Sequence, residues 1–357
     1  MSRIRGRNLL CVFIALAITS ACSDDPEEST AATSSTTEND SETSTTAPAA
    51  LETETVTVMM FPTQVYRIPV LIADRQGFFA AGGIEIEETP QPTNLTGIQG
   101  LQATGADVGV VATSTLAQGW QAGADAAFFC GSQRYVETSL LAKVGSDLPA
   151  VSDGASPSEV HAALSNKTIG IQTPIGSGLH LFFQAAIEAE GVHDVTYVNT
   201  GVQPQVVTTA LANGDVDIVQ ASTQLTAQLV TSGQAEELMF MPSDNAAYQQ
   251  NYGSGFVASK TWLQENPELA ARFCEAIDEA NTFFRDDANA EVVDALLEEM
   301  GATPDVAARV RERSTDGLDV DIPEREFQAT LDVFVGLGVL KPEPAPTYDE
   351  LVFDLDT

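Results

Sequence analysis

Basic side chains are scarce in this sequence. It contains 16 Lys and Arg against 51 Asp and Glu, which gives a formal net charge of −35 at pH 7. Binding to nucleic acid needs a basic surface, so this balance excludes nucleic acid as an expected partner. The same shortage argues against docking on anionic lipids through basic patches. We interpret the acidity as a soluble, self-repelling surface, with selection of a cationic ligand as the alternative.

Long apolar runs and catalytic motifs are also missing. After residue 23, no run reaches the roughly 18 apolar residues of a membrane-spanning helix, so we expect a soluble body. The sequence has no G-x-S-x-G, H-E-x-x-H or G-x-x-x-x-G-K-[ST] motif, and its histidines are scattered. We therefore predict that the protein is not an enzyme and has neither a cofactor nor a metal site.

The N-terminus has the plan of a secretory signal peptide. Three arginines precede an apolar run at 9–18, and small residues then lead directly to Cys22. The cysteine after small residues resembles a bacterial lipobox, although Thr19 stands where that pattern prefers Leu. We predict a signal peptide at 1–21 and a lipidated (palmitate-bearing) Cys22, which would anchor the chain to the outer face of the cell membrane. Simple cleavage near the same point, without a lipid, is the alternative.

The next segment, 22–54, is composed almost entirely of Ser, Thr, Ala, Asp and Glu and has no aromatic residue. Such a composition buries too little apolar area to offset the entropy of ordering, so we predict a disordered tether. Two cysteines then remain in the folded body, Cys130 and Cys274. In an oxidising compartment they would form a disulfide, or they would be two buried thiols; the sequence gives no distance between them.

From residue 55 onward, strand-like and helix-like patterns alternate. A helix is predicted over 64–81, and the S-x-x-E sequence at 156–159 predicts a helix capping box. Alternating β and α elements imply an α/β fold with largely parallel sheets. The predicted strands of the two successive cycles lie at 55–61, 84–88, 106–112, 126–130, 137–144, 168–172, 195–199, 216–219 and 237–241.

Five sequence pieces follow one another at 69–83 (PVLIADRQGFFAAGG), 105–109 (GADVG), 176–180 (GSGLH), 213–217 (NGDVD), and 256–259 with 266–268 (FVAS, NPE). In this order they resemble the type II periplasmic binding protein fold. More narrowly, they resemble the nitrate/sulfonate/taurine and thiamine-precursor-like substrate-binding proteins of ABC importers. The resemblance implies a monomer with two lobes, a hinge and a ligand cleft, and partners that are an ABC permease and its ATPase. The implied lobe one is 55–143 plus 243–357, and lobe two is 144–242.

Ligands of open α/β sheets sit beyond the carboxyl ends of the strands, at helix N-termini. The glycine-containing loop at 173–178 is the strongest local signal, because its backbone N–H groups and the following helix start favour an anion. A plain helix cap is the alternative for this loop and for the threonines and serines elsewhere. The candidate ligand-binding residues are Phe61, Thr63, Gln64, Tyr66, Arg67, Thr113, Ser114, Thr115, Arg134, Thr173, Gly176, Ser177, Ser222, Thr223 and Tyr252.

The sequence therefore predicts the extracytoplasmic solute-binding component of an ABC importer. Either Arg67 or Arg134 would pair with a carboxylate or sulfonate, and a solvated arginine is the alternative for each. With the hydroxyl-rich, aromatic-flanked loops, one or two arginines make a small organic anion (sulfonate, nitrate or aromatic carboxylate) the expected ligand. The alternatives are a pyrimidine, a thiamine precursor or another heterocyclic nutrient, or a surface sensor that is not coupled to transport. Under the anion hypothesis, replacing Arg67 with Ala weakens binding by more than about tenfold.

Overall fold

The structure is a computed structural model that describes residues 52–60, 65–90 and 96–355. The predicted signal peptide, Cys22, most of the predicted tether and the candidates Phe61, Thr63 and Gln64 lie outside the described residues. None of the helices in the described part has both the length and the apolar character needed to cross a bilayer.

Ten strands occur in the described residues, and most coincide with the alternating or continuous apolar runs of the sequence. In chain order they are β1 (Glu54–Met60), β2 (Ile84–Pro90), β3 (Val108–Ala112), β4 (Ala127–Gln133), β5 (Thr138–Lys143), β6 (Thr168–Ile171), β7 (Thr196–Asn199), β8 (Ile218–Ser222), β9 (Ala235–Phe240) and β10 (Ser254–Ala258).

Helices separate most of these strands and fill the C-terminal part of the chain. They are α1 (Arg67–Gln76), α2 (Phe78–Ala81), α3 (Thr96–Thr104), α4 (Thr113–Gln121), α5 (Pro157–Ala162), α6 (Gly178–Ala189), α7 (Pro204–Asn213), α8 (Thr223–Thr231), α9 (Met241–Asp244), α10 (Ala246–Gln249), α11 (Lys260–Glu265), α12 (Pro267–Arg285), α13 (Ala290–Glu299), α14 (Pro304–Ser314), α15 (Glu324–Gly336) and α16 (Tyr348–Leu351).

Local sequence explains the helix boundaries. The capping box predicted at 156–159 is confirmed, since the Ser156 side chain accepts from the Glu159 backbone and the Glu159 carboxylate accepts from the Ser156 N–H. The single helix predicted over 64–81 is wrong. Gly77 adopts a left-handed conformation (φ 81°), which ends α1 and starts α2, because only glycine takes this conformation at little cost.

The strands form two five-stranded sheets with the same arrangement. The first has the order β2-β1-β3-β10-β4, and the second has the order β7-β6-β8-β5-β9. In each five-stranded sheet four strands point in the same direction, and the fourth strand in the spatial order runs antiparallel to both of its neighbours. The antiparallel strand of each sheet follows a segment that crosses from the other sheet: β5 enters the second sheet, and β10 returns to the first.

The chain passes from one sheet to the other at positions that differ from the predicted lobe boundaries. Strand β5 belongs to the second sheet although 55–143 was expected in lobe one, so the first crossing falls at 134–137. Helices α9 and α10 pack on elements of the second sheet, so the return crossing falls at 250–253. A buried apolar run predicts that a strand forms, but it does not predict which sheet the strand joins, because this depends on hydrogen-bond partners that lie far away in the sequence.

The C-terminal helices contact both sheets, whereas the sequence placed 243–357 with lobe one. Helix α14 packs on α8 of the second sheet, and its buried Val306 and Val310 join the apolar core beneath the first sheet. Helix α15 packs on both α4 and α6. The structure also joins Cys130 on β4 to Cys274 on α12 in a disulfide, with the two Cα atoms 5.6 Å apart. The carboxyl-terminal third of the chain thus braces the two-sheet arrangement.

Candidate functional site

The two sheets present corresponding edges to each other. Strand β3 ends at Ala112 and passes directly into α4, and strand β8 ends at Ser222 and passes directly into α8. Beside these ends the two antiparallel strands begin: Ser254 of β10 pairs with Ala112, and Thr138 of β5 pairs with Ser222. A cavity of about 290 Å³ lies among these four strand ends. Its position matches the site expected at the carboxyl edges of open α/β sheets.

Apolar walls and polar side chains share this cavity. The volume lies near the lower end of the roughly 300–1,000 Å³ that is usual for ligand pockets, so it suits a small organic molecule. The apolar lining residues are Val65, Val110, Val111, Ala112, Val136, Pro174, Leu179 and Val202. The polar lining residues are Tyr66, Gln133, Glu137, Thr138, Gln172, Thr173, Gln220, Ser222, Thr223, Gln224 and Ser254, together with the backbone of Gly253.

Four side-chain carboxamides are the most distinctive part of the lining. Gln220 Nε2 donates to Thr138 Oγ1 at 2.9 Å, and Gln172 Oε1 accepts from the Ser222 backbone N–H at 2.6 Å. The side-chain amides of Gln133 and Gln224 make no hydrogen bond to any described residue. Each carboxamide offers both a donor and an acceptor, so the cavity presents paired donors and acceptors without a net charge.

Glu137 supplies the single carboxylate of the described lining. Its Oε2 accepts hydrogen bonds from Thr223 Oγ1 at 2.7 Å and from Ser314 Oγ at 2.9 Å. Its Oε1 is buried and has no hydrogen-bond partner in the described protein. Burial raises the pKa of Glu137 to about 7, against the opposing effect of the two hydroxyl donors. A group of this kind changes its charge near neutral pH.

Four of the predicted ligand-binding residues line the cavity: Tyr66, Thr173, Ser222 and Thr223. Tyr66 immediately precedes α1, and burial raises the pKa of its phenol, so it stays protonated and can donate a hydrogen bond. Thr173 follows β6, and the other two stand at the junction of β8 and α8. That these residues bind a ligand stays a prediction.

The predicted threonine and serine wall at 113–115 lies beside the cavity and does not line it. Thr113 Oγ1 is turned back to the backbone carbonyls of Tyr252 (3.1 Å) and Gly253 (3.2 Å). Ser114 is buried against the start of α6, where a Cβ added to Gly178 would lie 3.4 Å from the Ser114 Cβ. The Thr113 hydroxyl is therefore occupied by the backbone of the return crossing.

The loop at 173–178 contributes its first residues only. Gly176, in the left-handed conformation, donates its N–H to His180 Nδ1 at 2.9 Å, and Ser177 caps α6 by accepting from the His180 N–H. Neither Gly176 nor Ser177 lines the cavity. The alternative of a plain helix cap therefore describes Ser177, and His180 is the residue that fixes the shape of the loop.

The two predicted anion-binding arginines are placed away from the cavity lining. Arg67 makes a two-pronged ion pair with Glu88, with Nε–Oε1 at 2.7 Å and Nη2–Oε2 at 2.6 Å. Arg134 is more than half exposed and lies 3.9 Å from an Asp319 carboxylate oxygen. Tyr252 is fully buried in the core, where its ring packs on Phe327.

Sequence reasoning missed the carboxamides and Glu137. Glu137 opens one predicted strand and Gln172 closes another, so both carried a usable signal: a polar residue at the end of a predicted strand. Gln133, Gln220 and Gln224 carried none, because their roles depend on pairing between distant strands.

A cavity between two open α/β sheets, joined by two crossing segments, defines the architecture of a two-lobed periplasmic binding protein. The chain matches the profile of the NMT1/THI5-like family over residues 64–291 and belongs to that family. No curated protein matches the chain.

Solved structures show the same fold. The aliphatic sulphonate binding protein SsuA from Escherichia coli superimposes with a TM-score of 0.67 at 15% identity, covering 84% of this chain and 92% of that one. The alkanesulfonate-binding SsuA from Xanthomonas axonopodis pv. citri, bound to MOPS, gives 0.62 at 18% identity over 85% and 100% of the two chains. The nitrate-binding protein NrtA from Synechocystis PCC 6803 gives 0.61 at 16% identity over 85% and 87%. The fold is therefore the predicted type II periplasmic binding protein fold.

Proposed function

We propose that this chain is the extracytoplasmic solute-binding component of an ABC importer and not an enzyme. It would capture a small molecule between its two sheets and present the closed form to a permease. The observation that carries the proposal is the cavity at the four strand ends, where both sheets contribute lining residues. A ligand that touches both sheets stabilises the closed arrangement and shifts the population towards it.

The lining favours an uncharged or weakly basic planar ligand, which corresponds to the heterocyclic alternative. The described lining contains no Lys or Arg, and its single ionisable acid would repel an anion when it is charged. Four carboxamides match ring systems that carry adjacent donors and acceptors, such as pyrimidines. The apolar walls, with Tyr66 beside them, would cover the faces of such a ring.

An organic anion stays the second candidate. The solved structures with this fold include sulfonate- and nitrate-binding proteins. In this chain, the start of α8 at Ser222 and Thr223 borders the cavity, and a helix N-terminus favours negative charge. A contact between an anionic ligand and this helix N-terminus would be weaker than an ion pair with an arginine, because the helix N-terminus carries only a partial positive charge.

A thermal-shift screen with matched neutral and anionic compounds tests the proposed function. The neutral compounds are uracil, cytosine and nicotinamide, and the anionic compounds are orotate, nicotinate and an alkanesulfonate. We expect stabilisation by one or more neutral heterocycles, because ligands that bind only the folded state raise its stability. Stabilisation by the anions alone would reverse the proposed ligand class. No response to a broad library of small nutrients would contradict the solute-binding role itself.

We also propose that Cys22 carries a lipid and that 22–54 tethers the body outside the cell. The motif at 19–22 and the composition of the following segment support this. Replacing Cys22 with Ala should release the protein from the membrane fraction into the soluble extracytoplasmic fraction. Retention in the membrane fraction would contradict lipid anchoring. A sensor role would instead be indicated by ligand-dependent signalling without uptake of labelled ligand.

A further inference from the structure

Glu137 occupies a special position in the repeated architecture. In the first sheet, the residue before the antiparallel strand β10 is Gly253, and the Thr113 N–H and Oγ1 of α4 both donate to its carbonyl. In the second sheet, the residue before the antiparallel strand β5 is Glu137, and Thr223 of α8 donates its Oγ1 to the carboxylate. The threonine hydroxyl at the start of the helix thus donates to an ionisable side chain in the second sheet, where the corresponding hydroxyl in the first sheet donates to a backbone carbonyl.

The carboxyl group connects three separate segments of the chain. Glu137 lies in the first crossing, Thr223 opens α8, and Ser314 closes α14. The close approach depends on Gly317, since a Cβ at that position would lie 2.3 Å from Glu137 Oε1. Glu137 and Thr223 both line the cavity. This one buried carboxyl group therefore joins the first crossing, a C-terminal helix and the lining of the candidate ligand site.

No basic group of the described chain neutralises Glu137. Helix α8 has no ionisable side chain, and Arg309 and Arg313 of α14 both pair with Glu237. Arg134 in the same crossing pairs with Asp319. The other nearby titratable groups, Tyr135 and Asp316, are acidic; burial, and after it the negative charges of Glu137 and Asp316, raise the pKa of Tyr135 to about 12.

We propose that Glu137 is a specificity-determining residue that holds a proton when an uncharged ligand is bound, and that its ionised form rejects anionic ligands. The proposal rests on the function proposed above. A ligand that fills the cavity displaces the water next to Glu137, so the neutral form is favoured further. Binding of a neutral ligand is then linked to proton uptake, and its affinity falls as the pH rises above about 7.

The first test needs no ligand. The folded protein holds this proton up to a pKa of about 7, against 4.5 for the ordinary group, so the carboxyl contributes stability at low pH that is lost as the pH rises between these values. Chemical denaturation of the wild type and Glu137→Gln is measured from pH 5 to pH 8. Between pH 5 and pH 8, the folding equilibrium constant of the wild type should fall by on the order of 50- to 100-fold relative to that of the variant. Exposed Glu312→Gln, which removes the same charge from α14, should follow the wild type.

The second test uses nicotinamide and nicotinate, which differ only in a carboxamide and a carboxylate. Calorimetry from pH 6 to pH 9 should show nicotinamide affinity falling with pH in the wild type and constant in Glu137→Gln. The same variant should bind nicotinate at least tenfold more tightly than the wild type at pH 8. Parallel pH profiles in the two proteins, in either test, would overturn the role of Glu137 while leaving the solute-binding function intact. Failure of both compounds to bind either protein would overturn the specificity role together with the proposed ligand class.

Discussion

The two crossing segments touch at Gly253, and this contact provides a sharp test of the hinge. A Cβ added to Gly253 would lie 2.8 Å from the Gln133 carbonyl oxygen, and 2.8 and 2.9 Å from the carbonyl carbon and oxygen of Tyr135. These are backbone atoms, so no side chain can rotate to relieve the overlap. Gly253 does not have a positive φ, and therefore Gly253→Ala perturbs packing without forcing a strained backbone.

Carbon atoms in contact normally stay about 3.5 Å or more apart, so the two crossings must separate by about 0.7 Å. Overpacking of this kind costs about 1–3 kcal/mol. The shift also moves Gly253 and Ser254, which line the cavity, so ligand affinity should fall together with the free energy of unfolding. Guanidinium denaturation followed by circular dichroism measures the first quantity, and calorimetry measures the second.

Gly336→Ala is the matched control. Gly336 is the last residue of α15, and a Cβ there would meet no atom within 4 Å. Ala is the better helix former, so this variant should be unchanged or gain up to about 1 kcal/mol. Equal stability and affinity of the Gly253→Ala, Gly336→Ala and wild-type proteins would refute the close contact of the crossings, and with it the hinge described here.

Three further predictions concern single contacts. Arg67→Ala should change ligand affinity less than about twofold, because Glu88 holds the guanidinium; a loss of more than about tenfold for an anion would restore the anion hypothesis. Thr223→Val removes a hydrogen bond that lowers the pKa of Glu137, so carbon-13 NMR of the carboxyl should show a higher titration midpoint, and an unmoved midpoint would contradict this contact. Cys130→Ala/Cys274→Ala should lose about 2–5 kcal/mol of stability, because the disulfide closes a long loop; denaturation with the same midpoint as the wild type would argue against the bond.

The fold could be predicted from the sequence because local and global signals agree. The alternation of buried strands and amphipathic helices, the glycines that follow several helices and the repeated order of elements all point to two similar sheets. The sheet membership of β5 could not be predicted in this way. Its apolar residues are compatible with either sheet, and only its antiparallel pairing with β8 and β9 decides between them.

The candidate site was predictable in its location but not in its chemistry. Strand ends located Thr173, Ser222 and Thr223, because topology places these ends at one edge. The arginines attracted attention because cations are scarce, yet Arg67 pairs with a glutamate that is 21 residues away in the sequence. A partner of this kind is invisible to local pattern analysis. The same holds for Glu137, whose hydroxyl donors come from α8 and α14.

The second sheet is built from the consecutive strands β5 to β9, whereas the first sheet is completed only by β10, which follows all of them in the chain. Consequently, no single cut in the gene yields two fragments that each encode a complete sheet. A fragment that ends before β10 lacks a strand between β3 and β4, and the remaining edges would be exposed to pairing with other chains. During synthesis, the first sheet must therefore wait until residue 258 has emerged from the ribosome before it can close.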